Sequence, residues 1–109
     1  MIDPCCGSGG FFLAAQDFIV NNYTLDREQK EFLKNETFFG NELVPTTFKM
    51  ALMNLYLHNI VDIYCNVPVT LGDSLLLYSG IRVDYVLTNE AVICGLTPEK
   101  ACNFKEFAA

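Results

Sequence analysis

Two periods organise the hydrophobic positions of this chain. Between Gly9 and Val20, Phe11, Phe12, Ala15, Phe18 and Ile19 recur at helical spacing, which predicts a helix with one apolar face, ended by Asn21-Asn22. The polar stretch from Arg27 to Lys34 predicts a short second helix, with Asp26 placed to cap it. Thr37-Phe38-Phe39-Gly40 is a short β-like run that ends at Asn41-Glu42. Pro45 suits the first turn of a third helix running to His58. That helix carries Phe48, Met50, Ala51, Leu52, Met53, Leu55, Tyr56 and Leu57, so it is apolar nearly all round and predicted to be well buried. Val67 to Leu71 and Arg82 to Thr88 read as strands, and Met1-Ile2 fits the end of another. Beyond Asn89 the pattern is ambiguous, with Thr97-Pro98-Glu99 as a reasonable helix start.

A polar residue stands just past each strand: Asp3, Glu42, Asp73 and Asn89. In an open parallel α/β sheet, ligands bind at the carboxyl ends of the strands. An α/β fold of that kind would bring these side chains to one crevice.

The chain has 109 residues, enough for one small domain with one core, and at 51% hydrophobic it is globular in composition. No apolar run approaches the ~18 residues needed to span a bilayer. No basic segment precedes an apolar one, so no signal peptide is expected. The cysteines are Cys5, Cys6, Cys65, Cys94 and Cys102; their number is odd and no two form a C-x-x-C pair. This argues against a disulfide framework or a zinc site, and for reduced thiols in a cytoplasmic protein with no bound metal. Net charge is −6 with only seven Lys and Arg, a poor electrostatic footprint for nucleic acid. If the chain acts on DNA, most phosphate contacts come from elsewhere.

The opening "DPCCGSGGFF" is a glycine-rich turn before a helix, and two readings fit it: a ligand-holding turn or a plain one. It lacks the Gly-Lys-Ser/Thr ending of a phosphate-gripping loop and the spacing of a dinucleotide fingerprint. Glu42 can accept hydrogen bonds from both hydroxyls of a ribose, or lie solvated near a helix N-terminus where the dipole favours it. Asp73 can accept from an exocyclic amine, or cap the next turn. Asn89 offers a donor and an acceptor, for a turn or for catalysis. His58, near a helix end, reads as a surface residue.

Taken together, "DPCCGSGGFF", "GNELVPTTFKMALMNLYLHNI", "LGDSLL" and "DYVLTN" occur in an order and spacing that resembles the modification subunit of type I restriction–modification systems. Those are S-adenosylmethionine-dependent DNA adenine-N6 methyltransferases. The resemblance covers residues 1 to 89, and Cys5 stands where the family's first motif has alanine. It implies an incomplete Rossmann-like class I methyltransferase core: a partial parallel sheet with flanking helices. It also implies that Asp3 and the turn Gly7, Ser8 and Gly9 lie against the methionine part of the cofactor. Glu42 would hold the ribose hydroxyls, Asp73 would meet the cofactor's adenine amine, and Asn89 would open the Asn-Pro-Pro-aromatic catalytic motif. DNA and a separate specificity subunit are the implied partners.

The chain departs from that pattern after Asn89, where it reads "EAVICGLTPEK". Glu90 replaces the first proline, and Val92 stands at the stacking position. Residues 90 to 109 match nothing in the family and read as a divergent tail: an altered or out-of-frame ending, or a fusion junction. The first strand is expected to be short and the later strands absent. The expectation is a segment of the methyltransferase that is inactive by itself. The alternatives are a non-catalytic folded remnant and a class I methyltransferase acting on RNA or protein. Unpaired strand edges further predict a homodimer.

Overall fold

The computed structural model describes residues 1–62, 64, 67–76 and 80–89. Strand β1 (Ile2–Asp3) leads through the glycine turn into α1 (Gly10–Asn22). Then follow α2 (Arg27–Asn35), β2 (Phe39–Glu42), α3 (Pro45–Leu57) and β3 (Val69–Leu71). The three strands form one parallel sheet in the order β1-β2-β3. Ile2 lies opposite Phe39 and Asp3 opposite Gly40, while Gly40, Asn41 and Glu42 lie opposite Val69, Thr70 and Leu71. This partial parallel sheet with flanking helices is the α/β, Rossmann-like core that the sequence implies.

The caps agree with the local chemistry. Asp26 accepts from the Gln29 amide at 2.8 Å, and the Gln29 side chain accepts from the Asp26 amide at 3.0 Å, a reciprocal capping box that starts α2. Pro45 occupies the first turn of α3, where a missing N–H costs nothing. Asn59, in a left-handed conformation at φ 61°, follows the end of that helix. Strand β3 begins only at Val69 because Pro68 has no N–H to give the ladder; its carbonyl accepts from Gly40 instead, at 2.8 Å.

Two expectations are corrected. The strand read over Arg82 to Thr88 is reduced to a single parallel bridge between Val86 and Ile2. The Ile2 amide donates to the Tyr85 carbonyl at 2.9 Å, and the Leu87 amide to the Ile2 carbonyl at 3.1 Å. Because β1 is two residues long, it offers this stretch no further ladder. Even so, β1 lies between β2 and the Val86 segment. Helix α3 is not well buried: only Ala51 and Leu55 are, while Met50, Met53, Tyr56 and Leu57 are exposed. A helix lying on one face of a narrow sheet has one side covered, however apolar its other side.

The core joins Cys6, Phe12, Leu33, Phe38, Leu55, Ile60 and Val69. Phe12 of α1 and Phe38 meet with ring centroids 5.6 Å apart, tilted by 48°. Phe12 also lies directly over Gly40, where an added Cβ would sit 2.8 Å from the ring's Cζ and 3.2 Å from the Asp3 carbonyl oxygen. Only glycine lets α1 approach the sheet this closely. The expected helix start at Thr97, and Cys65, Cys94 and Cys102, lie outside the described residues.

Candidate functional site

The carboxyl ends of the strands are joined by a run of hydrogen bonds that starts in the glycine turn. Asp3 is buried beneath that turn, 1% exposed, and accepts from the Cys5 amide at 3.1 Å. The Cys6 amide reaches across to the Asn41 carbonyl at 2.9 Å. The Gly9 amide closes the turn on the Cys6 carbonyl at 2.8 Å. Gly7 and Gly9 adopt φ +55° and +83°, the left-handed region that favours glycine, so the sequence "GSG" permits this reversal before α1. A Cβ added at Gly7 or Gly10 would meet nothing within 4 Å, so both positions border open space.

Glu42 ties this turn to the rest of the site. Its Oε2 accepts from the Gly7 amide and its Oε1 from the Val44 amide, both at 2.9 Å. Its backbone carbonyl accepts from the Gly72 amide at 2.9 Å, which brings Asp73 to the same end of the sheet. Asp73 Oδ1 accepts from the Leu75 amide at 2.9 Å, the local turn-capping bond that its position in "LGDSLL" allows. Ser8 is exposed, and its carbonyl accepts from Asn54 Nδ2 on α3 at 3.0 Å. Asn89 is exposed one residue past Thr88. The Thr88 hydroxyl oxygen is buried and makes no hydrogen bond of full geometry, yet it lies near enough to Asp3 to favour the charged carboxylate.

The structure therefore links Asp3, Gly7, Gly9, Glu42 and Asp73 through the turn and the strand ends. Ser8 joins through its backbone, and Asn89 through the neighbouring Thr88. Sequence reasoning missed Asn54. Its only signal is an amide side chain set within the apolar run 50–57 of α3.

Burial sets the electrostatics. Desolvation raises the Asp3 pKa above its ordinary 3.8; the Cys5 amide and Thr88 oppose this, and the negative charge of Glu42 adds to it. Burial pushes the Cys6 thiol up to about 12, with Asp3 and Glu42 contributing, so it stays protonated. Among the described residues no group of three or more His, Cys, Asp or Glu is placed to hold a metal ion, and no helix is long and apolar enough to cross a membrane.

The Glu42 carboxylate keeps room for further donors. A carboxylate has about four lone-pair sites, and two on Glu42 are taken by backbone amides. Each of its oxygens thus retains capacity for a hydroxyl, beside a glycine turn that opens onto free space.

Comparison with known proteins gives the same frame. The chain matches the family model described as N-6 DNA Methylase over residues 1–91. It is 37% identical over 62 residues to the type I restriction enzyme EcoKI methylase subunit of Escherichia coli (strain K12), covering 53% of this chain and 12% of that protein. It is 30% identical over 90 residues to the EcoEI methylase subunit of Escherichia coli, covering 82% of this chain and 18% of that protein. The crystal structure of the EcoKI M protein superposes with a TM-score of 0.61 and 33% identity, over 68% of this chain and 16% of that one. The chain thus spans less than a fifth of the length of these relatives.

Proposed function

The chain belongs to the N-6 DNA methylase family, and from that premise we propose that it forms the cofactor-holding end of a type I modification methyltransferase. In this reading it corresponds to a segment of an enzyme that moves a methyl group from S-adenosylmethionine to N6 of adenine in DNA. The observation that carries it is the bond from the Gly7 amide to the Glu42 carboxylate, which joins the glycine turn to the end of β2.

Each group has a task. The turn Gly7, Ser8 and Gly9, held from beneath by Asp3, forms the wall for the methionine part of the cofactor. Glu42 accepts from the ribose hydroxyls through the lone pairs its two amides leave open. Asp73 accepts from the adenine amine. The bound cofactor supplies an electrophilic methyl group on a sulfonium.

Asn89 faces the other reactant. The exocyclic nitrogen of adenine is a poor nucleophile because its lone pair is delocalised into the ring. An amide oxygen that accepts one of its hydrogens localises density on the nitrogen for in-line attack. The base must first leave the stack, and an aromatic side chain normally holds it there. This chain has Glu90, Ala91 and Val92 after Asn89, so the second acceptor is not set by proline and no ring stands at the stacking position. We therefore propose that the chain by itself does not methylate DNA. Only seven Lys and Arg suit a subunit that leaves DNA sequence choice to a separate specificity subunit.

Calorimetric titration with S-adenosylmethionine tests the cofactor role. Glu42→Ala is expected to weaken binding by roughly 1.5–3 kcal/mol, the range for hydrogen bonds to a charged group. Equal affinity of Glu42→Ala and the unmodified chain would remove Glu42 from the ribose. Incubation with labelled S-adenosylmethionine and adenine-containing DNA tests the rest: transfer no greater than without protein is expected, and clear transfer overturns the inactive reading.

A further inference from the structure

We infer that Asn54 is a positioning residue for the glycine turn, acting through the Ser8 carbonyl. The Ser8–Gly9 peptide group is gripped on both sides. Its oxygen accepts from Asn54 Nδ2 at 3.0 Å, and its N–H donates to the Cys6 carbonyl at 2.8 Å. A peptide plane with both polar atoms engaged cannot rotate without losing two bonds. The residue that follows this plane is Gly9, which sits at φ +83° and precedes α1 without any side-chain cap. The one local hold on the plane before that left-handed step is the bond to the Cys6 carbonyl; the contact from α3, 46 positions along the chain, holds its other side.

The position of Asn54 on its helix explains why this contact forms. Leu55, the next residue, is fully buried, and its Cδ2 would lie 3.4 Å from a Cβ built on Gly9. The α3 face that packs on the turn therefore also presents the Asn54 amide to it. Cys6 and Gly7 are held by the end of β2, through Asn41 and Glu42, whereas Ser8 and Gly9 are held by α3. Asn54 contributes the polar part of this second hold. Its consequence for the cofactor rests on the reading given under Proposed function: a turn whose Ser8–Gly9 plane is free to flip presents its amides and its open face in more than one arrangement.

The test separates the two claims. Amide hydrogen exchange at Gly9 and Gly7 is compared in the unmodified chain, in Asn54→Leu, which removes the donor, and in Asn54→Gln, which keeps it on a longer arm. Asn54→Leu is expected to raise exchange at Gly9 by about tenfold, the effect of losing one neutral hydrogen bond. Lys30 in α2, whose amide is bonded to the Asp26 carbonyl, is expected not to change, and Asn54→Gln is expected to restore part of the protection. Unchanged exchange at Gly9 would overturn the inference. A rise of the same size at Gly9 and Lys30 would also overturn it, because it would mark a loss of overall stability. If Asn54→Leu does not fold, Asn54→Asp, which keeps the shape and lacks the donor, replaces it with the same expectation. Titration with S-adenosylmethionine is read beside this. Binding weakened about tenfold in the variant that loosens Gly9 supports both claims. A loosened Gly9 in a chain that never bound the cofactor upholds the positioning of the turn and removes the cofactor reading.

Discussion

Asp3 carries its charge where the protein disfavours it. Burial raises its folded pKa above 3.8, so the native state holds a proton more readily than the unfolded chain does. The linkage then has a definite sign. With respect to this group, stability is greatest below 3.8 and falls as pH rises from there through the raised folded value. Asp3→Asn keeps an acceptor for the Cys5 amide and removes the charge. Urea unfolding of both proteins across that window is expected to show Asp3→Asn gaining on the unmodified chain as pH rises. A constant difference would mean that the charge of Asp3 is not disfavoured. Cys6, with its thiol pushed up to about 12 and its side chain in the core, should resist alkylation in the folded protein at mildly alkaline pH. Peptide mapping after iodoacetamide treatment checks this: modified Cys6 in native protein would contradict its burial.

At the scale of elements, the close approach of α1 to β2 rests on Gly40. A methyl group there would press on the Phe12 ring at 2.8 Å and on the backbone of Asp3. Gly40→Ala is expected to destabilise the fold by about 1–3 kcal/mol, the usual range for overpacking, read as a lowered urea midpoint. An unchanged midpoint would show that α1 can shift without cost. The three helices were legible from periodicity and caps: Phe12 lies on the predicted face of α1, and Asp26 and Pro45 start α2 and α3 as their chemistry suggests. The strand over Arg82 to Thr88 was not, because its apolar pattern says nothing of how long a partner it finds, and β1 offers only Ile2. The exposure of α3 was misread for a similar reason: apolar residues on all sides describe the helix and not the width of the sheet beneath it. The acids at the strand ends were legible because a polar residue where an apolar run stops is a local feature: Asp3 and Glu42 are the last residues of β1 and β2, and Asp73 lies two residues past β3. Asn54 was not, since its partner Ser8 is 46 residues away and only the folded chain brings them together.

Across the whole molecule, apolar surface exceeds what the described elements cover. Met50, Met53, Tyr56 and Leu57 lie exposed along α3, with Leu43 and Val44 exposed at the loop before it. A cavity of about 790 Å³ opens between α1, α2 and the Val86 segment, lined in part by Phe18, Phe32, Tyr85 and Leu87. Surfaces of this kind find partners, and two-fold assemblies are the commonest way to cover them with a second copy. Light scattering at micromolar concentration is expected to give twice the chain mass of 12.2 kDa. The monomer mass would contradict the dimer. The central claim, that the glycine turn, Glu42 and Asp73 form one cofactor site, is tested most directly by nuclear magnetic resonance. In that experiment S-adenosylmethionine is titrated into the isotopically labelled chain and every backbone amide is followed. The account predicts saturable shifts gathered at Asp3 to Gly10, at Asn41 to Val44 and at Gly72-Asp73, with the amides of α2 unmoved. Shifts that do not saturate, or that gather on α2, would contradict it.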